Sequence, residues 1–74
     1  HHLGALEAFI TASEKRNFSE AGRVLGLSPS AVGKSISRLE DRLGTRLFHR
    51  STRRVTLTSE GARYLERGRR VIAE

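Results

Sequence analysis

Two groups of residues in this 74-residue chain have the types and spacing to do chemistry. Between Arg46 and Arg54 stand four arginines, Arg46, Arg50, Arg53 and Arg54, with no acid among them. Guanidinium groups clustered in this way suit phosphate oxygens, which they can hold through paired N–H donors. Upstream, Ser28-Pro29 opens a segment in which Ser30, Gly33, Lys34, Ser37 and Arg38 fall mostly off the apolar stripe. A helix that starts with small polar residues and a lysine can enter a nucleic-acid groove and meet donors and acceptors there. Arg63, Arg67, Arg69 and Arg70 form a second basic group, interrupted by Glu66. Fourteen Lys and Arg against eight Asp and Glu leave a formal charge of +6, which favours a polyanionic partner. Basic composition alone would also suit RNA, a membrane surface or a solvated helix face; its place beside a helical reading element gives it weight.

Short elements must position these groups. From Leu3 to about Lys15, Leu6, Phe9, Ile10 and Ser13 recur with Leu3 on one helical face. Asn17 and Phe18 break that pattern, and Ser19 is the expected N-cap of a short helix, Glu20 to Leu25, with Ala21, Val24 and Leu25 turned inward. Gly26 supplies a left-handed turn, and Leu27 is expected to plug the core between two helices. Ser28 caps the next helix and Pro29 takes its first position, where the missing N–H costs no bond. Val32, Ile36, Leu39 and Leu43 form the buried stripe of that helix, and Gly44 ends it. Leu47-Phe48 and Val55-Thr56-Leu57 read as two short strands flanking a basic loop. Thr58 then caps a last helix with Ala62, Leu65 and Ile72 on one face and Tyr64 and Val71 beside it. That helix reaches Glu74 without a stop signal, which reads as a longer protein cut there.

Length and composition exclude several classes. A chain of this size buries only roughly 60–65% of its unfolded surface, so one small domain with a thin core is expected. The absence of cysteine removes disulfide scaffolds and thiolate metal sites. No apolar run approaches the roughly 18 residues of a membrane span, and no signal peptide is evident. His1 and His2 are read as the remnant of an affinity tag and set outside the fold. No set of nucleophile, base and orienting group exists, nor a glycine-rich phosphate loop, so an enzyme is not expected and no cofactor or metal is implied. His49 has no second ligand at metal spacing and reads as a surface residue of the basic segment. Glu40-Asp41, flanked by Arg38 and Arg42, reads as a solvated helix surface.

The ordered motifs resemble one family. Asn17-Phe18-Ser19 with Ala21, Leu27-Ser28-Pro29-Ser30-Ala31-Val32, Ile36, Leu39-Glu40 and Leu43-Gly44 are followed by Leu47-Phe48-His49-Arg50, then by Thr52-Arg53-Arg54-Val55-Thr56-Leu57-Thr58 with Gly61. Together they resemble the N-terminal DNA-binding domain of LysR-type transcriptional regulators, over about Leu3 to Glu74. The resemblance implies a mostly α winged helix-turn-helix of three helices and a two-stranded wing over residues 3–57. The start of a linker helix follows over 58–74. It also implies a homodimer, or a tetramer in the intact protein, on an interrupted inverted repeat of double-stranded promoter DNA in the bacterial cytoplasm. A small-molecule effector would act only through a C-terminal domain outside this chain, and no membrane is involved.

Matched to the family's positions, the recognition-helix contacts are Ser28, Pro29, Ser30, Gly33, Lys34, Ser37 and Arg38. Pro29 suits a thymine methyl, Ser30 can donate or accept, and Lys34 can reach guanine acceptors or a phosphate. Capping alone also accounts for Ser28 and Pro29, and solvation for Lys34. Arg50, Thr52, Arg53 and Arg54 form the wing contacts to backbone and minor groove, although Arg50 could instead pack over the wing. Asn17 and Ser19 are candidate phosphate contacts, with plain capping as the competing account for Ser19. Gly61, Leu65, Gly68 and Ile72 are the expected dimerisation stripe, and Arg63, Arg67 and Arg70 a solvated face, with contact to the DNA backbone as the second reading. Gly33 departs from the family, whose members usually carry serine there, and weaker base discrimination at that position is expected. A second reading is a non-specific basic module for RNA or DNA; an RNA binder would want exposed aromatics for stacking. A winged helix used only for protein contacts would lack the basic wing.

Overall fold

The computed structural model describes residues 2–50 and 55–73. Its elements run α1 (His2–Lys15), α2 (Phe18–Leu25), α3 (Pro29–Leu43), β1 (Phe48–Arg50), β2 (Val55–Leu57) and α4 (Ser59–Ala73). Mostly α with a two-stranded sheet, it is the expected winged helix-turn-helix. The first helix begins at His2, so one of the two histidines set outside the fold is its first residue. Arg16 ends α1 in the left-handed region, at φ 57, with its N–H on the Ala12 carbonyl.

Local chemistry fixes α2 and α3. The cap of α2 is Asn17, not Ser19: its side-chain oxygen accepts from the Glu20 N–H at 3.1 Å, and the helix starts a residue before the serine. Asn followed three residues later by Glu is a cap signature that outranks the serine between them. Phe18, Ala21, Gly22 and Leu25 form the inward face, at helical spacings of 3, 1 and 3. Val24 lies well round the helix from them and is 61% exposed, contrary to expectation. Gly26, at φ 73, closes the helix with its N–H on the Gly22 carbonyl. Ser28 caps α3, accepting from the Ala31 N–H at 3.1 Å, and Gly44 ends it at φ 71.

Leu27 does not plug the core. Its side chain is 45% exposed, and its backbone does the packing: the Leu27 carbonyl sits over Gly22, where a Cβ would collide with it. The Leu27 N–H returns to the Gly22 carbonyl at 2.8 Å. Leu43 also departs from the expected stripe, at 44% exposure, because it lies at the last turn of α3, beyond the core. Val32, Ile36 and Leu39 are buried as expected.

The core gathers Phe9, Ala12, Ala21, Val32, Ile36, Leu39, Leu47 and Phe48. Phe9 meets Phe48 at 5.3 Å and the Tyr64 ring edge-on at 5.3 Å, and Phe18 meets Phe48 at 6.3 Å. All three phenylalanines and the one tyrosine are thus engaged in one cluster. β1 and β2 pair antiparallel, with Phe48 opposite Leu57, His49 opposite Thr56 and Arg50 opposite Val55. Thr58 starts α4 as expected, its hydroxyl accepting from the Gly61 N–H at 2.9 Å.

Candidate nucleic-acid interface

α3 divides into two faces. Val32, Ile36 and Leu39 anchor it to the core, while Ser28, Pro29, Ser30, Lys34 and Arg38 are exposed and Ser37 is half-buried. The Ser28 oxygen is occupied by the Ala31 N–H, yet its own O–H remains a donor. Gly33 is half-buried, and a Cβ there would meet the Phe18 ring at 3.4 Å. The missing side chain of Gly33 thus borders α2.

At the N-terminus of α2, Ser19 is exposed and the Asn17 oxygen is committed to capping. The strands form the stem of the wing, with His49 exposed on β1 as expected. The Arg50 backbone pairs with Val55, while its side chain and the expected contacts Thr52, Arg53 and Arg54 lie outside the described residues. Arg46, just before β1, has an exposed side chain facing a Glu40 oxygen at 3.9 Å.

Glu40 overturns the expectation of a solvated acid. It is 4% exposed, and its Oε2 accepts from the Leu47 N–H at 2.8 Å and the Phe48 N–H at 3.2 Å. The signal was present in its spacing, since Val32, Ile36 and Glu40 fall four apart on one face.

On α4 the expected dimerisation stripe is largely taken up within the chain. Gly61 lies under the Leu47 carbonyl, Gly68 faces the Leu6 side chain of α1, and Leu65 packs on the core. Of the four, Ile72 remains exposed, next to exposed Val71. The small residues let α4 approach its own α1 and wing stem, a demand as strict as that of a partner helix. Arg63, Arg67 and Arg70 are exposed, and Arg70 faces Glu66 at 3.8 Å, one turn away. Arg69 meets Glu14 at 3.5 Å, joining α4 to α1. Surface pairs of this kind contribute little to stability.

Among the described residues, no three His, Cys, Asp or Glu side chains gather into a metal site. None of their helices is long and apolar enough to cross a membrane.

Known proteins share this arrangement. CrgA of Neisseria meningitidis, an HTH-type transcriptional regulator, is 41% identical over 69 residues, covering 93% of this chain and 23% of that protein. The crystal structure of a CbnR_DBD–DNA complex matches with a TM-score of 0.90 at 33% identity, over 93% of this chain and 79% of that one. The BenM_DBD/benA site 1 DNA complex matches at 0.91 and 27% identity, over 96% and 80%. The chain spans about a quarter of the length of the curated relatives it matches. Residues 3–62 match the family described as bacterial regulatory helix-turn-helix protein, lysR family. The chain belongs to that family, and its helices and two-stranded wing are the family's winged helix-turn-helix domain.

Proposed function

We propose that this domain binds double-stranded promoter DNA sequence-specifically, with α3 in the major groove and the wing on the backbone and minor groove. The observation that carries the reading is the exposed row Ser28, Pro29, Ser30, Lys34 and Arg38 on a helix anchored by its opposite face. The fold bearing it matches two domains solved on DNA. Pro29 supplies an apolar contact and Ser30 and Lys34 the hydrogen bonds, while Arg50, Arg53 and Arg54 neutralise phosphates beside the groove and Thr52 hydrogen-bonds to the backbone there. Ser19 adds a phosphate contact at the start of α2, where backbone N–H groups favour an anion. The aromatic cluster argues against an RNA reader, because the rings that would stack on bases pack on one another instead.

Two copies pair through α4 to read an interrupted inverted repeat, with Ile72 and Val71 as the exposed apolar contribution of this chain. Regulation by a small effector belongs to the remainder of the intact protein, which acts on promoters in the cytoplasm. Residues 3–57 serve as the reading module and 58–74 as the start of the linker.

Selection from a random duplex pool at near-physiological salt, followed by sequencing, tests the proposal. An enriched interrupted inverted repeat is the expected result. Enrichment of a lone half-site removes stable pairing from it, and retention without enrichment reduces it to charge-driven binding.

A further inference from the structure

Glu40 is an acid at a position where the helical pattern of α3 calls for an apolar side chain. A buried carboxylate is tolerated when its oxygens are hydrogen-bonded or paired. Here Oε2 takes the N–H groups of Leu47 and Phe48, and Oε1 faces the Arg46 guanidinium. The two N–H groups belong to the stem of the wing, since Phe48 opens β1 opposite Leu57.

The same short segment is gripped from its other side by Thr58. The Thr58 N–H donates to the Leu47 carbonyl at 3.0 Å, and its hydroxyl donates to the Arg46 carbonyl at 2.7 Å. Residues 46–48 are thus clamped between α3 and the start of α4. Of these two grips, only Glu40 comes from the helix that carries Ser30 and Lys34. The basic loop lies just beyond β1, so a stem free to shift against α3 would carry the loop with it.

We propose that Glu40 is a positioning residue that fixes the wing relative to the recognition helix, so that groove and backbone contacts are made together. The inference rests on the DNA-binding reading above. It predicts an effect opposite to that of charge. Removing an acid from a DNA-binding domain should by charge alone tighten binding and steepen its salt dependence. Loss of the clamp should do the reverse, because the wing arginines no longer meet phosphates in step with α3.

The test measures affinity for a mixed-sequence DNA duplex against salt, for wild type, Glu40→Ala, Glu40→Gln and Glu40→Asp, at a temperature where each folded variant retains its native circular dichroism. Each phosphate contact contributes about 0.9 to the log–log slope, so release of the wing should flatten it by about 2, more than Arg53→Ala alone. Glu40→Gln loses the charge and keeps an oxygen for both N–H groups, and it should give a slope at least as steep as that of the wild type. Glu40→Asp keeps the charge but withdraws the carboxylate by one methylene, and it should flatten the slope as Ala does. Should the Ala variant not fold, Asp carries the comparison. Amide exchange at Leu47 and Phe48 should accelerate in Ala and Asp and recover in Gln. A folded Ala or Asp variant with the wild-type slope overturns the inference while leaving the DNA-binding reading intact. A wild-type domain that does not retain duplex DNA overturns both, and this is known before any variant is compared.

Discussion

The helix-turn-helix and the wing end of the molecule are built over the same kind of floor but closed by different bonds. In each, a backbone carbonyl lies directly on a glycine: Leu27 over Gly22 in the turn, Leu47 over Gly61 below the wing. Around the turn, the closing hydrogen bonds are local, from Asn17 to Glu20, Gly22 to Leu27 and Ser28 to Ala31. Around the wing they span the chain: Glu40 reaches seven and eight residues to Leu47 and Phe48, and Thr58 reaches twelve back to Arg46. The turn can therefore organise from its own sequence, whereas the wing stem is placed only once α3 and α4 are in position.

The largest effects should come from breaking the two floors. A methyl at Gly22 or Gly61 would meet a backbone carbonyl, which cannot swing aside as a side-chain tip can. Gly22→Ala and Gly61→Ala should each cost about 3 kcal/mol, the upper part of the range for overpacking. In a domain of this size that lowers Tm by roughly 12 °C or more. Amide spectra should separate them, with Gly22→Ala moving residues 22–28 and Gly61→Ala moving residues 46–48 and 58–61. Gly68→Ala is the milder control, because its neighbour at 2.7 Å is the end of the Leu6 side chain; about 1 kcal/mol is expected. Equal losses at Gly61 and Gly68, by thermal melts, would show that the wing floor is not the strict one.

This division also explains what could be read from the sequence. As caps, Ser28-Pro29, Gly26, Gly44 and Thr58 act through neighbours a few residues away, so residue type and spacing suffice to place them. The exposed face of α3 follows from the periodicity of Val32, Ile36 and Leu39. The burial of Glu40 is hidden from local sequence because its partners, Leu47 and Phe48, lie beyond the end of its helix, and the adjacent Asp41 and Arg42 suggest a solvated surface. Gly61 and Gly68 show a different limit: small residues at helical spacing signal a close approach without saying to what, and here it is α1 and the wing stem. Leu27 shows a third, since an apolar residue in a turn can owe its place to its carbonyl.

The caps sharpen the local side of the comparison at a smaller scale. Asn17→Ala and Ser28→Ala should each cost about 1 kcal/mol, leaving one N–H at a helix start without its acceptor. Ser19→Ala should change stability by no more than about 0.5 kcal/mol, as expected of a surface substitution. Thermal denaturation of the three variants decides between Asn17 and Ser19, and a Ser19→Ala loss equal to that of Asn17→Ala would return the cap to the serine. The same Ser19→Ala protein, being normally stable, then reports on the phosphate contact through its affinity for duplex DNA alone.

One position lies where the two regions touch. Gly33 borders Phe18, and the Phe18 ring meets Phe48 at the foot of the wing, so one position of the recognition helix is linked to both. A Cβ at 3.4 Å from the Phe18 ring makes an ordinary contact, so neither Ala nor Ser should be excluded. Glycine inside a helix is about 1 kcal/mol worse than alanine and about 0.5 kcal/mol worse than serine. Gly33→Ala and Gly33→Ser should therefore stabilise the domain by about those amounts in thermal melts. If both destabilise it instead, Phe18 cannot yield, and the glycine is retained for packing between α2 and α3. The two variants part company on DNA. Alanine adds helix propensity without a donor, so its base preference should stay that of the wild type, whereas the serine hydroxyl should tighten binding or shift the preference at one base pair. A serine variant more stable than wild type, yet with the same selected sequences and affinity, would mean that Gly33 does not weaken base discrimination.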